Sequence, residues 1–170
     1  MESGSRLVTN GIHKQVINAL LGMVRTMVRQ DFYVNGEART EDVTLAWKAA
    51  CKMLAESEAA ELWLVGPDMN RLKHKSDIVI AIGEKSAKLF LQGGHINEKG
   101  RIIRYYTERT FPKMGGNAIV LLIDPSHSLM TKADEMLDYV ALIVVPWCFK
   151  DVQMWINEHK PMDILQYMSS

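Results

Sequence analysis

An acid, a hydroxyl and an imidazole follow one another in Asp124-Pro125-Ser126-His127-Ser128. Asp124 and His127 are the acid/base pair that a hydrolase or transferase would use, and an aspartate alone would suit a ribose hydroxyl or a metal. Ser126 stands in no GxSxG elbow, which argues against a serine hydrolase. Pro-Ser is equally the chemistry of a turn and a helix cap. A second loop, Gly83-Glu84-Lys85-Ser86, can offer backbone N–H groups to a phosphate with Lys85 adding charge, the alternative being a simple helix cap at Ser86. It is neither a Walker A loop nor a GxGxxG turn. In Gly66-Pro67-Asp68-Met69-Asn70, Asp68 is the candidate for a hydroxyl.

Charge is unevenly placed. The 170 residues carry 20 Lys+Arg and 20 Asp+Glu, a formal net charge of +0, but residues 71–113 hold 10 of the bases against 4 acids. Arg101, Arg104 and Arg109 stand there among Tyr105, Tyr106 and Phe111, the mixture that a phosphorylated ligand or single-stranded nucleic acid needs. A pI near 7.0 and acidic flanks disfavour nucleic acid. They favour a local anion site or contact with a second copy of the chain.

No metal centre is expected. The histidines at 13, 74, 95, 127 and 159 show no ligand spacing, and Cys51 and Cys148 form no CxxC. Nor is a disulfide framework expected. With 48% hydrophobic residues, 24% charged and a mean hydropathy of −0.06, the composition is that of an ordinary globule, and no apolar run reaches the 18 or so residues of a membrane helix. The N-terminus has no apolar signal core, so the expected compartment is the cytoplasm.

The elements that would position these residues follow from periodicity. Ile12, Val16, Ile17, Leu20, Leu21, Val24, Met27 and Val28 recur at helical spacing and predict an amphipathic helix over 12–30. A polar turn over 31–39 and an N-cap at Thr40 then introduce a second helix over 41–57. Apolar runs at 62–65, 78–82, 118–123 and 140–145 read as strands, three of them continuously apolar and rich in Val and Ile, as in a parallel sheet covered on both faces. Helices are expected at 128–137 and 149–159. Residues 84–113 are a basic excursion, with a helix from Ser86 and then a hairpin turning at 97–100.

The whole chain therefore reads as a single α/β domain: a helical part at 1–58, a sheet-forming core at 59–160, and a Rossmann-like three-layer fold with a mostly parallel sheet of four or five strands. In such a sheet ligands sit beyond the carboxyl ends of the strands. The expected function is binding or regulation through a small anionic ligand, a nucleotide or sugar phosphate. Asp68, Gly83, Lys85, Ser86 and Ser126 are the candidate ligand-binding residues. The alternatives are catalysis by Asp124 and His127 in the same pocket, or ligand-free assembly into a homo-oligomer through the Met-rich N-terminal helices. The chemistry names no cofactor.

Overall fold

The computed structural model describes residues 28–36, 39–114, 116–136 and 138–170. The expected first helix, 12–30, lies outside them but for its last three residues, and Gln30 already belongs to a strand. The elements are β1 (Gln30–Tyr33), α1 (Arg39–Glu56), β2 (Glu61–Gly66), a 3-10 turn (Met69–Leu72), α2 (Asp77–Ile82), α3 (Glu84–Leu91), β3 (Ile96–Glu98), β4 (Arg101–Thr107), β5 (Ala118–Ile123), α4 (His127–Glu135), β6 (Ala141–Val145), α5 (Phe149–His159), β7 (Met162–Asp163) and α6 (Ile164–Ser169).

The seven strands among the described residues join one sheet, in the order β3-β4-β2-β5-β6-β1-β7. Every pairing is parallel except that of β3 with β4. The sheet thus exceeds the four or five strands expected. The extra strands are short and mostly polar, Gln-Asp-Phe-Tyr at β1, Ile-Asn-Glu at β3 and Met-Asp at β7, so no apolar run announces them. Pairing holds them in place: β1 lies between β6 and β7 with Phe32 buried. The expected polar turn at 31–39 therefore begins as strand, over 31–33, and α1 starts at Arg39 rather than after a cap at Thr40.

The run Ile78-Val-Ile-Ala-Ile82 is a correction of another kind. Its β-branched residues predict a strand, yet it is helix α2. Ser76 caps it, its Oγ accepting from the Val79 N–H at 3.3 Å, and Asp77 stands in the first turn. Ile78 and Val79 face the core while Ile80 is exposed. A capped turn outweighs a strand propensity worth at most about 1 kcal/mol across its whole scale. The place beside β2 is taken instead by β4, Glu61 pairing with Ile102 and Gly66 with Thr107. The hairpin from β3 to β4 turns at Lys99 and Gly100, both at positive φ (51° and 84°), the backbone of a two-residue type I′ turn.

Alternate strand residues serve opposite faces. Leu62, Leu64, Ile119, Leu121 and Ile143 pack in one buried cluster with α1, α2 and α3. Trp63, Val65, Val120, Leu122 and Val144 pack in a second with α4 and α5. The continuously apolar β5 and β6 are buried at every position, as the two-sided burial of a parallel strand requires.

At the amino end of β1, Arg29 closes the α4 side. Its guanidinium donates to the carboxylates of Asp31 at 2.7 Å and Asp134 at 2.8 Å, and to the carbonyls of Ala133, Asp134 and Met136, where α4 ends. His159, the last residue of α5, reaches the same two carboxylates and stacks on Trp155.

Candidate functional site

Sheet order dictates where a ligand site can form. From β2 the chain moves to β4 on one side, through α2 and α3. From β5 it moves to β6 on the other, through α4, whose residues pack on the opposite face. The connections leaving the paired neighbours β2 and β5 therefore run to opposite sides, which makes the carboxyl ends of these two strands the switch point at which open α/β sheets bind ligands.

Four charged side chains converge there. Asp124 directly follows β5 and sits at φ 51°; its N–H donates to the Val145 carbonyl at 2.9 Å, which fixes the turn. Arg39 comes from the start of α1, Arg71 from the 3-10 turn after β2, and Asp77 from the first turn of α2. Asp68 caps the 3-10 turn, accepting from the N–H groups of Asn70 at 2.6 Å and Arg71 at 3.2 Å. Ser76 Oγ donates to the Arg71 carbonyl at 2.6 Å while capping α2. The two local caps thereby hold Arg71 and Asp77 against each other.

The four close into a ring. Arg39 pairs with Asp124 through a short contact and with Asp77 at 3.2 Å. Arg71 pairs with Asp77 through a short contact and with Asp124 at 3.2 Å. Arg39 also donates to the Pro146 carbonyl at 3.0 Å and lies over the exposed Trp147 ring, 5.1 Å from its centroid. Thus the loops after β2, β5 and β6 and the first turn of α1 are tied together. The carboxylates are 7% and 9% exposed and the guanidiniums 24% and 26%, so the acids are the desolvated partners. Burial pushes Asp124 above the ordinary carboxyl value; Arg39 and Arg71 pull it back without cancelling that effect. For Arg71 burial acts downward, but the hydrogen bond and charge of Asp77 and the charge of Asp124 prevail and raise it.

Next to the loop that carries Arg71, between the loops after β2 and β4 and helix α4, is an open cavity of about 670 Å³ lined by Asp68, Asn70, Thr107, Arg109, Thr110 and Lys132, among others. The Thr110 Oγ1 accepts from the Thr107 N–H at 2.9 Å, which turns the loop after β4 back on itself. Among the described residues, neither Arg109 nor Lys132 has an ion-pair or hydrogen-bond partner. Glu108, also on the wall, accepts from the Ser126 hydroxyl at 2.7 Å. Gly66 ends β2 where any Cβ would fall on the Tyr105 hydroxyl, which donates to the Asp68 carbonyl at 2.8 Å and braces the loop.

The residues singled out in the sequence divide between places. Asp68, Asp124, Ser126 and His127 lie at the strand ends. Ser126 is the N-cap of α4, accepting from the Leu129 N–H at 3.1 Å. His127 is exposed, and no hydrogen bond joins it to Asp124, whose two oxygens each receive an arginine. Gly83, Lys85 and Ser86 follow a helix rather than a strand, because 78–82 is helical; Gly83 has a positive φ of 87° and Lys85 is exposed. Ser86 lines a different cavity, near the start of β4.

Nor do Arg101, Arg104 and Arg109 form one patch. Residues three apart on a strand point to opposite faces: Arg101 lines the cavity that contains Ser86, Arg104 stands 3.7 Å from Glu61, and Arg109 is in the loop beyond β4. Arg39, Arg71, Asp77 and Lys132 were not legible as site residues. The adjacent Ser76-Asp77 pair is the signal that could have found Asp77, as a helix start with an acid in its first turn.

Among the described residues, no three His, Cys, Asp or Glu side chains converge as a metal site would require, and no helix is long and apolar enough to cross a membrane. The chain matches no family model, no curated protein and no solved structure with which it was compared.

Proposed function

We propose that this is a Rossmann-like binding or regulatory module for a small phosphorylated ligand, a sugar phosphate or nucleotide, held at the carboxyl ends of β2 and β5. The observation that carries the reading is the cavity between the loops after β2 and β4 and helix α4, whose walls hold two carboxylates and two cations that have no partner among the described residues. Arg109 and Lys132 suit the phosphate, since charge-assisted hydrogen bonds to an anion are the strong ones. Asp68 and Glu108 accept hydrogen bonds, so they suit the hydroxyls of a sugar and disfavour a bare polyanion. The ring of Arg39, Arg71, Asp77 and Asp124 is charge-balanced; it serves as the frame that fixes the loops. The absence of an Asp124–His127 contact gives binding more support than acid/base catalysis.

Calorimetric titration with ribose phosphate tests this, with ribose and inorganic phosphate as controls. The expected result is saturable binding of the ester, tighter than either fragment and weakened about tenfold or more by Lys132→Ala. Equal affinity in wild type and in the Arg109→Ala/Lys132→Ala protein would place the ligand elsewhere.

A further inference from the structure

The second large cavity, about 550 Å³, lies away from the strand-end site, between the later turns of α1 and the β3–β4 hairpin. Its volume is within the range of small-molecule sites, about 300–1,000 Å³. Trp47, Leu54, Ile96 and Ile103 make its apolar wall. Its polar groups are Ser86, the Cys51 thiol, Glu98, Lys99 and Arg101. Arg101 is the anomaly. It is only partly exposed, its Nη1 is fully buried, and among the described residues its guanidinium has no hydrogen-bond or ion-pair partner, although Glu98 is its cross-strand neighbour. A desolvated donor without an acceptor is costly, and in most folds a carboxylate or carbonyl would have been placed against it.

We propose that this cavity is a binding site for an amphipathic anion, a hydrocarbon chain ending in a carboxylate, with the chain against Trp47, Leu54, Ile96 and Ile103 and the headgroup on Arg101. Lys99, at the hairpin turn, adds a second positive charge at the mouth. Glu98 opposes these two with a single negative charge, so the wall remains net cationic. The charges select the headgroup, the apolar wall selects the tail, and a short anion such as acetate would satisfy only half of the site. This site is separate from the strand-end cavity and stands or falls independently of it.

Decanoate, kept below its micelle concentration, is the probe; decanol and acetate are the controls. Cys51 lies in the cavity wall and Cys148 is exposed at the other end of the chain, so iodoacetamide alkylation read by mass spectrometry reports on the site with an internal reference. Burial, with the charge of Glu98 adding to it, pushes the Cys51 thiol up to about 11, so the reaction is followed at about pH 9.

Decanoate is expected to slow Cys51 alkylation saturably, by about tenfold, without slowing Cys148, whereas acetate and decanol give no comparable protection. Arg101→Gln should weaken decanoate binding about tenfold or more. Ala55→Trp, at an exposed position on the cavity rim, should block binding measured by calorimetry and supplies the test if Arg101→Gln does not fold. No protection of Cys51, equal protection by decanol, or wild-type binding by the variants that fold would each overturn the proposal.

Discussion

Replacing Arg71 with methionine should destabilise the protein more than replacing Asp77 with asparagine, although each change removes one member of the same ion pair. Arg71 contacts both Asp77 and Asp124, whose side chains are 7% and 9% exposed, while Arg71 itself is 26% exposed. Losing one partner of a fully buried pair costs about 3–5 kcal/mol. Here each carboxylate would keep Arg39, and the lost cation was itself partly solvated, so the expected cost of Arg71→Met is nearer 2 kcal/mol. For a domain of this size that lowers Tm by about 4–8 °C.

Asp77→Asn behaves differently. It removes a desolvated charge, keeps an oxygen for the Ile78 N–H, and leaves two guanidiniums that water can reach. About 1 kcal/mol is expected. The double variant should cost less than the sum of the two, because each single change already breaks the same contact. Urea denaturation of the four proteins measures all of this. An Asp77→Asn loss equal to or larger than that of Arg71→Met, or strict additivity, would refute the view that the arginines are there to neutralise buried acids.

Three further outcomes follow from the same structure. Arg29→Met strips two carboxylates and three carbonyls of one donor that is 6% exposed, and should lower the unfolding free energy by about 3–5 kcal/mol; a loss below about 1 kcal/mol in urea would contradict this. The pKa of Asp124 is raised in the folded state, so the fold takes up its proton more readily than the unfolded chain does. Wild type should therefore gain stability relative to Asp124→Asn as pH falls toward the ordinary carboxyl value of 3.8, with the gain complete below it; a flat or reversed difference in paired denaturation curves would contradict it. Gly66→Ala should cost about 1–3 kcal/mol through overlap with Tyr105, and less in a Tyr105→Phe background; an unchanged penalty there would rule out the hydroxyl as the obstacle.

The parts of the fold that could be read in advance are those where one signal dominates. β5 is apolar at all six positions, and α5 begins and ends where its periodicity does. The hairpin at 97–100 carries its own turn chemistry, Gly100 included. Where two signals compete, the louder misled: five successive apolar residues at 78–82 hid the cap at Ser76 that makes them a helix. That error displaced the expected phosphate loop, since Gly83 and Lys85 lie at a strand end only if 78–82 is a strand.

The ring of charges was less legible still. Arg39, Arg71, Asp77 and Asp124 are separated by up to 85 residues, and only the sheet order brings them together. Asp124 was visible because it ends an apolar strand, but its arginine partners resembled ordinary surface bases. The basic segment 71–113 held real cations without being a surface, because strand alternation sends Arg101 and Arg104 to opposite faces.

Amide chemical shifts during a titration with ribose phosphate test the proposed binding of a phosphorylated small molecule at the carboxyl ends of β2 and β5. Saturable shifts are expected, concentrated at Asp68–Arg71, Thr107–Thr110 and Lys132 and abolished by Arg109→Ala/Lys132→Ala. Shifts confined to Gly83–Ser86, or a spectrum that does not change at millimolar ligand, would contradict it.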